Sequence, residues 1–196
     1  MMRTAAYSVR FAENNRHQRE NGRYLAIIKR LHAHGIPIDM HSAIASNNVA
    51  RVKALLKADP DLAKVGGPDK RPVLHRAVTL DCRSIVVLLL DAGASANDPD
   101  PDGYTALHSA AFWGRHEIAR LLIKRRADVN ARAKNGFTPL HEAARLESVA
   151  VAQILLAAGA KVNATDNERR TPLSWASKFC EESEMIDLLR RHGGKK

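Results

Sequence analysis

Apolar and polar positions along this chain follow the period of short amphipathic helices that come in pairs. Ile118, Leu121 and Leu122 lie on one face at helical spacing, which predicts a helix with one buried side. A segment with small side chains at Ala110-Ala111 precedes it, and Gly114 separates the two. The pattern therefore predicts a helix–loop–helix unit in which small residues let the first helix pack closely against its neighbours.

The same unit recurs with a fixed period of 33 residues. A Leu-His pair marks the first helix at Leu74-His75, Leu107-His108 and Leu140-His141, and Leu173-Ser174 takes its place in the last unit. The second helix ends in a related segment each time: LLLDAGASAN (88–97), LLIKRRADVN (121–130) and ILLAAGAKVN (154–163). Units that match at both ends predict a stacked repeat protein, in which each unit buries its apolar face against the next.

Capping residues indicate where the predicted helices begin and end. Threonine precedes the first helix of three units, at Thr105, Thr138 and Thr171. Its hydroxyl can accept a hydrogen bond from a backbone N–H of the first turn. Gly93 and Gly159 follow the second helix, where a left-handed residue commonly ends a helix. Arg126 stands at the same position between them, so the sequence predicts local strain of about 1–2 kcal/mol or a different turn.

The T-P-L-H motif, the glycine break, the apolar second helix, the G-A-x-V-N ending and the 33-residue length together resemble the ankyrin repeat. The resemblance implies an all-α solenoid of stacked helix–loop–helix units with projecting β-hairpin fingers. It divides the chain into a basic polar segment at 1–22 and a repeat domain at 23–194. The predicted parts of this domain are an N-terminal cap at 23–39, repeats at about 40–66, 67–99, 100–132 and 133–165, and a C-terminal cap repeat at 166–194.

The stretch FTPLHEAAR (137–145) contains a His-Glu pair that could begin a zinc hydrolase motif, His-Glu-x-x-His. Arg145 stands where the second histidine is needed, and His141 belongs to a periodic set with His75 and His108. Histidines one repeat apart, about 8–10 Å by helix packing, cannot share a zinc ion whose ligands lie near 2 Å. We therefore expect scaffold histidines that bond the capping threonine and nearby backbone, no metal, no cofactor and no enzymatic activity.

The resemblance also implies where a partner binds. In ankyrin repeats, partners contact the fingertips and the two residues after the small pair of the first helix. Five of the nine aromatic residues fall on these positions: Tyr104, Phe112, Trp113, Phe137 and Phe179. Aromatic and arginine side chains dominate binding hot spots, so we predict a non-catalytic protein-binding module. Its concave patch centres on Phe112 and Trp113, and its other members are Leu80, Arg145, Leu146 and Lys178.

An alternative interpretation applies to some of these aromatic side chains. Tyr104 and Phe137 could instead pack between neighbouring fingers and hold the repeats together. The position of Trp113 favours a role in partner binding, whereas Trp175 lies at a helix position more typical of a core residue.

Net charge adds a second functional hypothesis. The formal net charge is +10, and residues 1–34 carry seven Lys and Arg against two acids, whereas residues 84–167 carry nine of each. A basic terminal segment can attract nucleic acid or an anionic surface, with steep salt dependence. This reading stays open beside the protein-binding module.

Hydropathy and cysteine content suggest the setting. The longest apolar run, Ile85 to Leu90, is six residues, so no membrane span is expected. Cys82 and Cys180 are too few for a disulfide framework and stand three repeats apart, too far to bridge each other. We expect a monomer in the reducing cytoplasm that binds another protein.

Overall fold

A computed structural model describes residues 40–66, 70–178 and 182–196 of the chain. The predicted N-terminal segment and N-terminal cap, 1–39, lie outside the described residues. So do Phe179 and Cys180. The described residues form two compact units, 40–95 and 96–196.

The unit at 40–95 contains two helix pairs. Its elements are α1 (Met40–Ala45), α2 (Val49–Ala58), a 3-10 turn (Pro60–Lys64), α3 (Val73–Thr79) and α4 (Arg83–Asp91). Helix α1 packs against α3, and α2 packs against α4, so like helices of successive repeats lie side by side. The shared core is aliphatic: Ile44, Val52, Leu74, Ile85 and Leu89 are all buried.

The unit at 96–196 contains three helix pairs. They are α5 (Ala106–Trp113) with α6 (His116–Lys124), α7 (Pro139–Arg145) with α8 (Val149–Ala157), and α9 (Pro172–Ala176) with α10 (Glu184–Arg191). The first helices α5, α7 and α9 pack in one row, and the second helices α6, α8 and α10 pack in another. Residues 40–66, 70–178 and 182–196 contain no extended strand, which confirms the predicted all-α class.

The fingers between helix pairs are short hydrogen-bonded loops. Each closes by a backbone bond of 2.8–2.9 Å across four residues: Asp100 N–H to Tyr104 O, Ala133 N–H to Phe137 O, and Asp166 N–H to Arg170 O. Neighbouring fingers are joined as well, because Lys134 N–H donates to Asp102 O at 2.9 Å and Asn167 N–H donates to Asn135 O at 3.0 Å. A Cβ at Gly136 would lie 2.7 Å from the Asn167 nitrogen, so this finger needs a glycine.

A threonine and a histidine together cap the first helix in two repeats. The backbone N–H of Thr138 donates to Nδ1 of His141 at 3.1 Å, while the Thr138 side chain bonds backbone of the first turn. Thr105 and His108 repeat the arrangement at 3.0 Å. All four side chains are buried. The reciprocal bonds satisfy donors that the start of a helix otherwise leaves without a partner.

The other nitrogen of each imidazole bonds the following finger. Nε2 of His108 lies 3.1 Å from Phe137 O, and Nε2 of His141 lies 3.1 Å from Arg170 O. A backbone N–H can only donate, so Nδ1 must accept and the proton must reside on Nε2. Burial lowers the pKa of His141, which agrees with this neutral form. The predicted scaffold role is thus present at both histidines.

The corresponding helices α3 and α9 differ from these two. Helix α3, which carries the buried His75, begins after Pro72, which has no hydroxyl to cap it. In α9, Thr171 accepts from the backbone N–H of Ser174 at 3.2 Å, and the serine stands where the histidine would be. The threonine–histidine bridge therefore belongs to the first two helix pairs of the 96–196 unit.

Left-handed residues end the second helices as the sequence predicts. Gly93 and Gly159 have φ of 92° and 87°, and Arg126 has φ of 64° at the equivalent position. The chain therefore keeps the same turn at Arg126. The left-handed conformation of this arginine costs about 1–2 kcal/mol of conformational energy.

We expect Thr138→Ala to lower the free energy of unfolding by about 1 kcal/mol, because the helix loses its N-cap hydroxyl. Thr138→Ser keeps the hydroxyl and should lose less. Thr165→Ala, at an exposed position, is the matched control and should change stability by less than about 0.5 kcal/mol. Urea denaturation measures all three variants, and equal losses for Thr138→Ala and Thr165→Ala would contradict the capping role.

The lowered pKa of His141 predicts a pH dependence. The unfolded chain binds this proton more readily than the folded one, so His141 costs stability as pH falls below its unfolded value of about 6.5. We expect His141→Gln, which can cap the helix but does not titrate near pH 6, to lose less stability than wild type between about pH 7.5 and 5.5. Parallel slopes of unfolding free energy against pH would refute this.

Candidate partner-binding site

Phe112 and Trp113 form an aromatic pair at the end of α5. Their ring centroids lie 4.9 Å apart at an interplanar angle of 64°, in an edge-on arrangement. Both side chains are half-buried. Gly114 follows in the left-handed conformation with φ of 66° and ends the helix, so the pair stands at the turn between α5 and α6. Each side chain therefore keeps part of its surface exposed to solvent.

Arg145 of the next repeat lies against this pair. Its guanidinium carbon is 5.3 Å from the centre of the Phe112 ring, a cation–π contact worth about 0.5–1 kcal/mol at a partly exposed site. The Arg145 side chain is 28% exposed, whereas that of its ion-pair partner Glu142 is 5% exposed. The Arg145 guanidinium is therefore partly exposed to solvent, while the buried Glu142 carboxylate binds it from the protein side.

Glu142 holds that arginine. Its Oε2 accepts from Arg145 Nη2 at 2.9 Å and from Nε at 3.3 Å. Burial raises the pKa of Glu142, and the charge and hydrogen bonds of Arg145 only partly oppose this effect. The sequence did show a signal for the pair, because residues three apart on a helix share a face. Glu142 was nevertheless not among the partner-binding residues predicted from the sequence.

Tyr104 joins the finger before α5 to the same region. Its ring meets the His108 imidazole edge-on at 5.3 Å, and its hydroxyl accepts from Asn135 Nδ2 at 2.7 Å. Burial raises the pKa of Tyr104, and the nearby Glu142 carboxylate raises it further. Tyr104 thus links two neighbouring fingers, as the alternative interpretation proposed, while staying half-exposed beside the site.

Phe137 and Leu146 do not belong to an accessible patch, contrary to the sequence prediction. Both are only 6% exposed. The Phe137 ring stacks on His141 at 5.3 Å and meets Trp175 edge-on at 5.1 Å. These contacts join two repeats, so the packing alternative describes Phe137. Leu146 follows α7 directly, and its side chain is withdrawn from solvent at the turn into α8.

The remaining predicted contact residues are dispersed. Leu80 is half-buried and belongs to the 40–95 unit, whereas Phe179 lies outside the described residues. Lys178 is exposed at the end of the last first-helix segment, and its Nζ lies 4.9 Å from the centre of the Trp175 ring. The 96–196 unit therefore brings together Tyr104, Phe112, Trp113 and Arg145, with Lys178 on a further repeat.

Trp175 anchors the last finger and is not a free aromatic surface. The Arg170 guanidinium lies 4.1 Å from its ring centre, and its Nε1 donates to Asp166 Oδ2 at 2.9 Å. Burial alone would raise the pKa of Asp166. Hydrogen bonds from Arg170, Trp175 and the Glu168 backbone outweigh it, so this pKa is lowered. Trp175 remains half-buried in this cluster.

Two kinds of structure are missing from the part of the chain that the structure describes. No three His, Cys, Asp or Glu side chains come together there in a way that could hold a metal ion. None of its helices is long and apolar enough to cross a membrane.

Comparison with known protein families agrees with the repeat pattern. The family model for ankyrin repeats, which spans three copies, matches residues 40–133 and again 127–196. No individually curated protein is similar enough to the chain to count as a relative.

The Glu142–Arg145 pair should respond asymmetrically to mutation. We expect Arg145→Ala to lower the free energy of unfolding by about 2 kcal/mol at pH 7, because it leaves a buried carboxylate without its counter-ion. Glu142→Gln should cost much less, since burial already favours the neutral form of Glu142. Its folded pKa is raised, so ionised Glu142 costs stability as pH rises above about 4.5, and the Arg145→Ala loss should shrink towards pH 5. Chemical denaturation at pH 7 and pH 5 measures both variants, and equal losses at pH 7 would contradict this account.

Proposed function

Because the chain belongs to the ankyrin repeat family, we propose that it is a non-catalytic module that binds another protein. Proteins of this family are generally interaction modules, whereas the fold by itself does not say which partner is bound. The face we propose runs along the first helices and finger ends of the 96–196 unit. We define the concave site as Tyr104, Phe112, Trp113 and Arg145, with Lys178 at its far end.

This proposal rests on the aromatic pair Phe112 and Trp113 and on the cation–π contact that Arg145 makes with Phe112. Phe112 and Trp113 are half-buried, and the Arg145 guanidinium lies 5.3 Å from the Phe112 ring. Ankyrin stacking does not require large aromatic side chains at these positions. Tryptophan, tyrosine and arginine are the residues most enriched among binding hot spots, and half-buried rings lose little freedom when a partner covers them.

The arrangement also indicates which partner groups suit the site. The two rings offer apolar surface for an aliphatic or aromatic side chain. Glu142 engages Nε and Nη2 of Arg145, so the Nη1 donors are not used by that carboxylate and can meet a partner carbonyl or carboxylate. A partner that satisfies both features would place an apolar residue next to a hydrogen-bond acceptor.

Some expectations from the sequence remain proposals alongside this one. Residues 1–22, on which the nucleic-acid alternative rests, lie outside the described residues. A cytoplasmic setting and a monomeric state also stay as predictions. The buried thiol of Cys82 is compatible with a reducing compartment.

We expect Phe112→Ala with Trp113→Ala to abolish partner capture from a nuclease-treated cell lysate. A protein enriched by the wild-type chain should be lost with this double variant, because removal of the two rings removes the apolar contact area. Once that protein is purified, titration calorimetry should show at least about 30-fold weaker binding, which corresponds to a hot-spot loss near 2 kcal/mol.

The matched control is Val49→Ala with Val65→Ala, which shortens two exposed apolar side chains in the 40–95 unit. It should retain the captured protein, and circular dichroism should show both double variants folded. Equal capture by wild type and the Phe112/Trp113 variant would rule out the concave site. If nuclease treatment removes every captured protein, nucleic-acid binding, which the sequence hypothesis assigned to the basic N-terminal segment, becomes the better account.

A further inference from the structure

A second surface of the 96–196 unit is strongly basic. It lies where the second helices α6, α8 and α10 end and the chain turns towards the next repeat. We call it the basic edge and define it by six exposed side chains: Lys124, Arg126, Lys161, Arg190, Arg191 and Lys195. The segments that form it, 120–130, 154–164 and 187–196, hold nine Lys and Arg against two acids, Asp128 and Asp187.

Asparagine side chains fix the spacing of this edge. Asn130 bonds Gly159 O at 3.2 Å and the Lys161 N–H at 2.8 Å, while Asn163 bonds Gly193 O at 2.9 Å and the Lys195 N–H at 2.7 Å.

Asn97 makes the same contacts one repeat earlier, with Arg126 O at 3.1 Å and the Asp128 N–H at 2.7 Å. The turns at 126–128, 159–161 and 193–195 therefore follow one another along the stack, each about 8–10 Å from the next by helix packing. The cations therefore line up over roughly 20 Å.

No ion pair with another described residue neutralises the positive charge of the basic edge. None of its six side chains takes part in an ion pair with another residue among 40–66, 70–178 and 182–196. Arg191 donates from Nε to a backbone carbonyl, that of Asp187, at 3.2 Å. Cations in a row without counter-charges repel one another, so an anionic ligand along the edge would relieve that repulsion.

Helix stabilisation explains only part of this charge. Lys124, Arg190 and Arg191 lie in the last turns of α6 and α10, where cations favour the helix dipole. Lys161 and Lys195 lie beyond the helices. Arg126 also lies beyond its helix and is left-handed with φ of 64°, where the equivalent residues Gly93 and Gly159 are glycines. A strained arginine at a glycine position is a local cost that the repeat does not require.

From these observations we propose that the basic edge binds the phosphate backbone of nucleic acid. A row of cations about 20 Å long suits several consecutive phosphates along one strand. The three segments of the edge contain no Phe, Trp or Tyr, and their one imidazole, His192, lies 2.9 Å through Nδ1 from the Leu188 carbonyl oxygen, so the edge has no platform on which successive bases could stack. Binding is therefore electrostatic and independent of sequence. This surface is distinct from the concave site and does not depend on the protein-binding proposal.

The test uses the full chain and a fluorescein-labelled 20-base-pair DNA duplex of arbitrary sequence, with anisotropy read at several salt concentrations. The edge variant carries Arg126→Gly, Lys161→Gln and Lys195→Gln, which keep the backbone bonds to the asparagines. We expect it to bind roughly tenfold or more weakly than wild type at low salt. We also expect its slope of log K against log salt to be shallower by about 2–3, one unit for each lost phosphate contact.

Two matched triple variants remove the same charge elsewhere. One carries Arg51→Gln, Lys53→Gln and Lys57→Gln, at exposed positions of α2. The other carries Arg16→Gln, Arg19→Gln and Arg23→Gln near the N-terminus. The first should bind as wild type does. The single variant Arg126→Gly should keep or raise the melting temperature while weakening DNA binding, because glycine relieves the left-handed strain.

Several results would overturn the proposal. Equal weakening by the edge and α2 triples would show that only net charge matters. Loss of binding in the N-terminal triple alone would assign the activity to that segment. Absence of duplex binding at low salt, or edge-dependent binding to vesicles containing phosphatidylserine but not to the duplex, would also refute it. Weakening by the edge triple with the α2 triple unchanged supports it, whether or not the N-terminal triple also weakens binding.

Discussion

A neutral imidazole buried between two repeats is the interaction on which the 96–196 unit depends. His141 accepts from the Thr138 backbone N–H through Nδ1 and meets the Arg170 carbonyl through Nε2. One side chain thereby provides a hydrogen-bond partner both for a backbone N–H at the start of its own helix and for a backbone carbonyl in the finger of the next repeat. An unsatisfied polar group at such a buried place costs about 1–3 kcal/mol, so stacking and capping are coupled.

This coupling positions the concave site. The cap fixes where α7 begins, and Glu142 and Arg145 then follow at set positions on one face of that helix. Because α7 packs beside α5, Arg145 comes to lie against Phe112 of the preceding repeat. The contact needs a defined register between repeats, which the imidazole bridges and the finger bonds provide. A loop could not hold the same groups as closely.

The chain accepts a local energetic cost at both proposed surfaces. Glu142 places a carboxyl where burial disfavours its charge, and Arg126 adopts a left-handed conformation where its counterparts are glycines. Natural sequences are locally consistent except where a function or a compensating contact accounts for the exception. Glu142 has such a contact in Arg145. For Arg126 we propose that binding of an external anion accounts for the conformational cost of its left-handed backbone. The concave site is built on first helices and a finger, whereas the basic edge is built on the ends of second helices and the turns that follow them.

The sequence by itself determined the repeat period, the capping residues and the all-α class, because these follow from local propensity and spacing. At Arg126 the sequence left open a strained left-handed turn or a different turn, and the structure decided for the left-handed one. The sequence also placed Phe112 and Trp113 correctly at the end of a first helix. Only the tertiary structure decided that Phe137 and Leu146 are buried, and that Glu142 holds Arg145. Burial depends on which side chain of a neighbouring repeat covers a position, and a pattern read within one repeat carries no information about that neighbour.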